Sequence, residues 1–311
     1  MLSRRSVRIK VMQLLYANST DEALTQRGCE QRYRRMIEES YDVFLFTLFV
    51  LVQVTKIASE DESNRKAKHL PSETDKAFSA KLCDNDLVRS LRDNPELNKT
   101  FEKKSFNAIT DRDHIIKVYH QFAKEEAYTS YIAKETSNED HLEILLELFR
   151  FCRKNELFND VVGDQYLNWI DDKSLVIGSI KKVFKALPVD GVGFLNEYVP
   201  DDETVKDYGE FLLKRTLMGD QALLEKIQPI LTNWDHERLA IIDMILLKMA
   251  ACEMLEFPTI PAKVTLNEYV EVAKSYSTDK SKEFVNGVLD KLMKELIDSG
   301  KLNKEGRGLV E

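Results

Sequence analysis

From Ile260 onward the apolar positions fall at helical spacing in two blocks. Val264, Tyr269, Val270, Ala273 and Tyr276 make the first, and Phe284, Val285, Val288, Leu289, Leu292, Met293 and Leu296 make the second. Pro261 opens the first block where its missing N–H costs nothing, the polar stretch Ser277 to Ser281 separates the two, and Gly300 closes the second as a left-handed C-cap. This pattern predicts two packed amphipathic helices. Gly287 lies inside the second, where glycine costs about 1 kcal/mol relative to alanine, so close approach of a neighbouring backbone is expected there.

The same reading extends along the chain. A first helix is expected from about Ser3, as N-cap, to Asn18, with Val7, Val11, Leu14 and Leu15 on one face. A second, about Glu30 to Ala58, carries the apolar run Val43 to Val54. At 12 residues that run is short of the roughly 20 needed to cross a bilayer and reads as a buried helix. Ser59 to Ser72 is polar and reads as a loop. Helices are then expected at Asn85 to Arg92, Pro95 to Lys103, Asp111 to Ala133, Glu139 to Lys154 and Asp172 to Leu187, the last ended by Pro188 and the Gly191/Gly193 loop. Asp201 or Asp202 can cap the helix that follows. Asn168-Trp169 and Asn233-Trp234 begin two similar stretches, which read as a shared capping pattern or a duplicated helical unit.

Composition agrees with helices. Only 11 Gly and 7 Pro in 311 residues, with 43% hydrophobic residues, suit an all-α protein with a real core. The net charge of −8 argues against a protein that coats nucleic acid non-specifically. Its distribution changes that picture, because Arg4, Arg5, Arg8 and Lys10 precede any acid and form a local basic footprint. The arginines stand in the first turns of their helix, where its dipole disfavours cations, a broken local rule that suits either phosphate binding or a merely solvated helix end. That acid-free start also reads as a mitochondrial transit peptide. The scattered Cys29, Cys83, Cys152 and Cys252 suggest reduced, packed thiols, and neither they nor the five histidines have metal-ligand spacing. No signature of a nucleotide loop or catalytic nucleophile is present, and the pairs Asp171/Asp172 and Asp201/Asp202 are explained by helix capping.

Two separated segments then carry a family resemblance. I-P-A-K-V-T-L-N-E-Y-V-E-V-A-K from Ile260 and F-V-N-G-V-L-D from Phe284 follow Asn233-Trp234 and a helix from Arg238 to Leu255. At the other end, Arg4-Arg5-Ser6-Val7-Arg8 precedes Val11-Met12-Gln13-Leu14-Leu15-Tyr16. The first set resembles the C-terminal half of the NusB family of transcription antitermination factors, and the second its basic first helix ending in Q-x-L-Y.

The resemblance implies an all-α, NusB-like helical bundle with an extra inserted helical region. Its expected divisions are 1–58 for the N-terminal helices, 59–200 for the insert, 201–300 for the C-terminal half and 301–311 for a flexible tail. It implies a cytoplasmic, cofactor-free factor that binds boxA-type RNA with the small ribosomal protein NusE in the RNA polymerase elongation complex. Arg4, Arg5 and Arg8 would meet phosphates, Gln13 a base edge, and Phe284, beside Lys280 and Lys282, would stack on an unpaired base. Tyr16 and Glu268 match positions that meet the ribosomal protein. Core packing of Phe284 and Tyr16 and a capping role for Glu268 are the rival readings. Ser6 interrupts the usual arginine run, which leaves open a second function: a helical interaction scaffold that has lost RNA binding. A NusB-like domain also begins some ribosomal RNA cytosine methyltransferases, but only Asn303 to Glu311 follows the last expected helix, so a non-enzyme is expected.

Overall fold

The computed structural model describes residues 1–21, 23–233 and 240–309. Trp234, Arg238 and Leu239, and with them the Trp234 half of the repeated pattern, lie outside the described residues. Every regular element among the described residues is helical, as the all-α reading requires. In chain order these are α1 (Arg4–Thr20), α2 (Gln26–Lys66), α3 (Glu73–Ala77), α4 (Lys81–Asp84), α5 (Asp86–Arg92), α6 (Pro95–Lys103), α7 (Phe106–Ile109), α8 (Arg112–Phe122), α9 (Glu126–Ala133), α10 (Asn138–Cys152), α11 (Glu156–Gly163) and α12 (Trp169–Lys185). A wide-wound π-helical segment, Glu203–Glu210, then runs into α13 (Phe211–Met218), followed by α14 (Asp220–Ile227), α15 (Ile241–Glu256), α16 (Ala262–Tyr276) and α17 (Ser281–Asp298).

The chain forms two compact units. One comprises Met1 and residues 38–199, and the other residues 2–37 with 200–311. The divisions fall inside α2 and just before the π-helical segment, so residues 38–58, expected with the N-terminal helices, pack with residues 59–199.

In the unit of residues 38–199 the run Val43 to Val54 is buried throughout except for Gln53. Phe46 and Phe49 pack on Phe106 at ring separations of 5.2 and 5.6 Å, and Phe44 stacks on Tyr198 at 5.1 Å. Helix α2 contains a window apolar enough to cross a membrane, but 78% of that window is buried inside the protein. Three local expectations are corrected here. Helix α2 continues to Lys66 through the supposed loop, because Arg65 pairs with Asp61 and Lys66 with Glu62 one turn back, and polar residues so spaced support a helix. The span Asp111 to Ala133 is broken after Phe122, which lets the Tyr119 and Tyr128 hydroxyls meet at 3.0 Å beside Asp61. Helix α11 was not expected, and is capped by Asn155, whose side chain accepts from Phe158 N at 3.0 Å.

The unit that holds both family-like ends is built on α15, whose residues Leu246, Leu247, Met249, Ala250, Ala251 and Met254 are fully buried. Helices α1, α13, α14, α16 and α17 pack against it. Ser3 caps α1 by accepting from Ser6 N, and Asp201 accepts from Thr204 N at 2.7 Å at the start of the π-helical segment. Gly209 lets that segment lie close: a Cβ there would sit 1.9 Å from the Tyr33 hydroxyl and 2.4 Å from Val7 Cγ1. The supposed flexible tail is docked through Gly308. Glu305 N donates to the Pro258 carbonyl at 2.9 Å, Lys304 Nζ to that of Phe257 at 3.0 Å, and only a glycine at 308 fits against Pro258. Gly287 corrects a further expectation, since nothing lies within 4 Å of where its Cβ would be. All four cysteines are free and buried, and burial pushes the Cys252 thiol up to about 12.

Candidate nucleic-acid interface

The N-terminal turns of α1 run beside the start of α16, and together with Thr259 to Pro261 they border an open groove of about 600 Å³. Arg4, Arg5, Val264 and Glu268 line it. Val264, expected in the apolar stripe of α16, is 45% exposed here, and Leu266 and Val272 take up the burial instead.

The three arginines have different fates. Arg4 reaches Glu203 at 3.2 Å, with both side chains substantially exposed. Arg5 donates from Nε at 2.9 Å and from Nη2 at 2.7 Å to the two oxygens of Glu268, a forked pair that leaves Nη1 for a further acceptor. That hydrogen bonding holds the Glu268 carboxyl below its ordinary value despite partial burial, and raises the Arg5 guanidinium.

Arg8 is only 3% exposed, which corrects its reading as a phosphate contact. Its Nε and Nη2 donate to Glu253 at 2.9 and 2.7 Å, and its Nη1 reaches Glu268 at 3.3 Å. Glu253, fully buried on α15, also accepts from Thr265 Oγ1 at 2.8 Å and from the hydroxyls of Tyr208 at 2.5 Å and Tyr269 at 3.2 Å. The same two rings flank the Arg8 guanidinium, with centroids 5.4 and 5.6 Å away. Burial works against the Arg8 cation, but the Glu253 hydrogen bonds and charge outweigh it and hold it above its ordinary range. Burial and the Glu253 charge drive both tyrosine hydroxyls well upward, so they stay protonated and donate. Arg8 therefore positions the floor of the groove.

Phe284 is also buried, at 5% exposure, because it begins the apolar face of α17; it offers no open ring for a base to stack on. Lys280 and Lys282 are exposed at the start of that helix, Gln13 is half-buried on α1, and Tyr16 is 43% exposed.

Sequence reasoning missed the acids of α15. Asp243 is buried and accepts from Ser277 Oγ at 2.6 Å and Ser281 Oγ at 2.7 Å, so the polar break before α17 is an anchored turn. The signal was available: Asp243 and Glu253 are acids on a largely apolar helix, and a buried carboxylate needs partners. Among the described residues no cluster of metal-ligating side chains is present.

Comparison with known proteins bears on this unit. The family model described as the NusB family matches residues 192–294. The transcription antitermination protein NusB of Salinibacter ruber is 44% identical over 110 residues, 35% of this chain and 69% of that protein. The chain belongs to the NusB family. The NusB proteins of Chloroherpeton thalassium and Methylacidiphilum infernorum are 41% and 39% identical over 119 and 117 residues, covering 38% and 36% of this chain and 56% and 80% of the relatives. No solved structure matches. As a member of the NusB family the chain is a transcription antitermination factor, longer than these relatives by an additional helical region.

Proposed function

We propose that this NusB-family factor binds boxA-type single-stranded RNA together with NusE, within the RNA polymerase elongation complex. The observation that carries the reading is the groove at the start of α1, where Glu268 holds Arg5 by one edge and leaves Nη1 for a phosphate, with Arg4 beside it. Lys280 and Lys282 are proposed as further phosphate contacts and Gln13 as a base-edge contact. Tyr16 and the solvent-facing part of Glu268 are the proposed contacts to NusE. Arg8 supports the groove from below, and Phe284 supports the helix that carries the lysines.

A second reading, a helical interaction scaffold without RNA binding, is favoured by the pairing of Arg4, Arg5 and Arg8 with carboxylates of their own chain. Titration against boxA RNA with and without NusE separates the two. R4A/R5A is expected to weaken RNA binding and lower the slope of log affinity against log salt by about 1.4, at about 0.7 per single-strand phosphate contact. An unchanged affinity and slope would leave the scaffold reading standing.

A further inference from the structure

Helix α2 begins with a second group of arginines that the groove does not use. Cys29, Tyr33 and Ile37 are buried, and the Tyr33 hydroxyl donates to the Val205 carbonyl at 2.9 Å, which fixes the rotation of these turns. The opposite face carries Arg27, Gln31, Arg34 and Arg35, with Arg32 on its flank, all exposed. Arg34 pairs with Glu210 at 2.8 Å. Arg27, Arg32 and Arg35 have no ion pair or hydrogen bond among the described residues. The nearby acid Glu30 is engaged by Gln26 and Lys214.

This arrangement departs from what the other exposed arginines among the described residues do, each of which sits beside a carboxylate. Acids outnumber bases in the chain, 53 to 45, and many of its exposed arginines and lysines sit beside a carboxylate. Three unpaired arginines on neighbouring turns repel one another, and Arg27, in the first turn of α2, also meets the unfavourable end of the dipole. Both costs are relieved by a bound anion. From Arg27 to Arg35 the helix rises about 12 Å at 1.5 Å per residue, enough for more than one phosphate of an extended strand. Guanidinium forks suit phosphate oxygens, and an intervening glutamine can reach sugar or base.

We infer that the outer face of α2 formed by Arg27, Gln31, Arg32 and Arg35 binds the phosphate backbone of single-stranded RNA, extending the RNA path beyond the boxA segment. This rests on the RNA-binding reading proposed above.

The test uses the full-length chain in fluorescence anisotropy with three RNAs: boxA alone, boxA with a single-stranded flank, and the flanked RNA with its boxA scrambled. R27Q/R32Q/R35Q is compared with a charge-matched control, K99Q/K103Q/K124Q, whose lysines are exposed in the unit of residues 38–199. The triple arginine variant should bind flanked RNA roughly tenfold more weakly, with the salt slope reduced by about 2, while short boxA RNA and the lysine control change by less than about twofold. Unchanged binding of flanked RNA overturns the inference, as does an equal loss for short and flanked RNA or an equal loss in the lysine control. If the unaltered protein shows no preference for boxA over scrambled RNA, the boxA reading fails alone, and the arginine face is then judged on the scrambled RNA. Binding of none of the three sinks both. Superimposable thermal melts of the arginine variant and the parent chain establish that folding is intact.

Discussion

Glu253 accepts five hydrogen bonds, two from Arg8 and one each from Thr265, Tyr208 and Tyr269, in a site closed to water. Removing one member leaves a buried charge without its counter-ion, so R8A and E253A should each lower stability by about 3–5 kcal/mol in urea unfolding. The double variant R8M/E253M, which removes both charges and keeps the volume, should recover part of that loss, the remainder reflecting the Tyr208, Tyr269 and Thr265 hydroxyls that lose their acceptor. The neighbouring pair predicts a pH effect. Because Arg5 holds the Glu268 carboxyl below its ordinary 4.5, the ionised form is favoured in the folded state. Its contribution is complete above pH 4.5 and disappears as pH falls through the lower folded value, so the stability difference between the parent chain and E268Q should shrink over that range. At Gly287 the space beyond the helix is open, and G287A should raise stability by about 0.5–1 kcal/mol, read as a higher melting temperature. Arg4, Arg5 and Arg8 look equivalent in a linear reading. The buried fate of Arg8 is set by a carboxylate on another helix, which local spacing does not reveal.

Helices declare themselves through periodicity, which is why α1, α5, α6, α10, α12, α16 and α17 were legible within a few residues. Where they stop depends on weaker signals. Helix α2 passes through a polar stretch because its ion pairs are spaced one turn apart, and α8 ends at Phe122 because the tyrosines beyond it pack better on a new axis. The π-helical segment had no sequence signature apart from Gly209. G209A would drive a methyl into the Tyr33 hydroxyl and Val7, and should cost about 1–3 kcal/mol. Combining it with Y33F, which removes the nearer obstructing atom, should regain part of that cost in the same unfolding measurement. If G209A is neutral, the close packing of this segment on α1 and α2 is not as described.

At the scale of the whole molecule the division expected at residue 58 does not coincide with the division into compact units, because the latter lies within a single helix and no change of composition marks it. Each of the two units has its own buried cluster of large side chains. Chemical denaturation followed by hydrogen exchange is expected to resolve two groups of amides with different opening free energies, one for residues 38–199 and one for the remainder. A single cooperative loss of protection across both would argue against independent cores.

The unit that carries the NusB-family match is made from the first and last parts of the chain, and its Arg8 and Glu253 stand 245 residues apart. At translation rates of about 5–20 residues per second, the arginine is made roughly 12–50 s before its carboxylate. In that interval residues 38–199 have been synthesised in full, while α1 still lacks α15. Order of synthesis thus makes residues 38–199 the first part able to mature, and leaves Arg8 without its buried partner until Glu253 has been made.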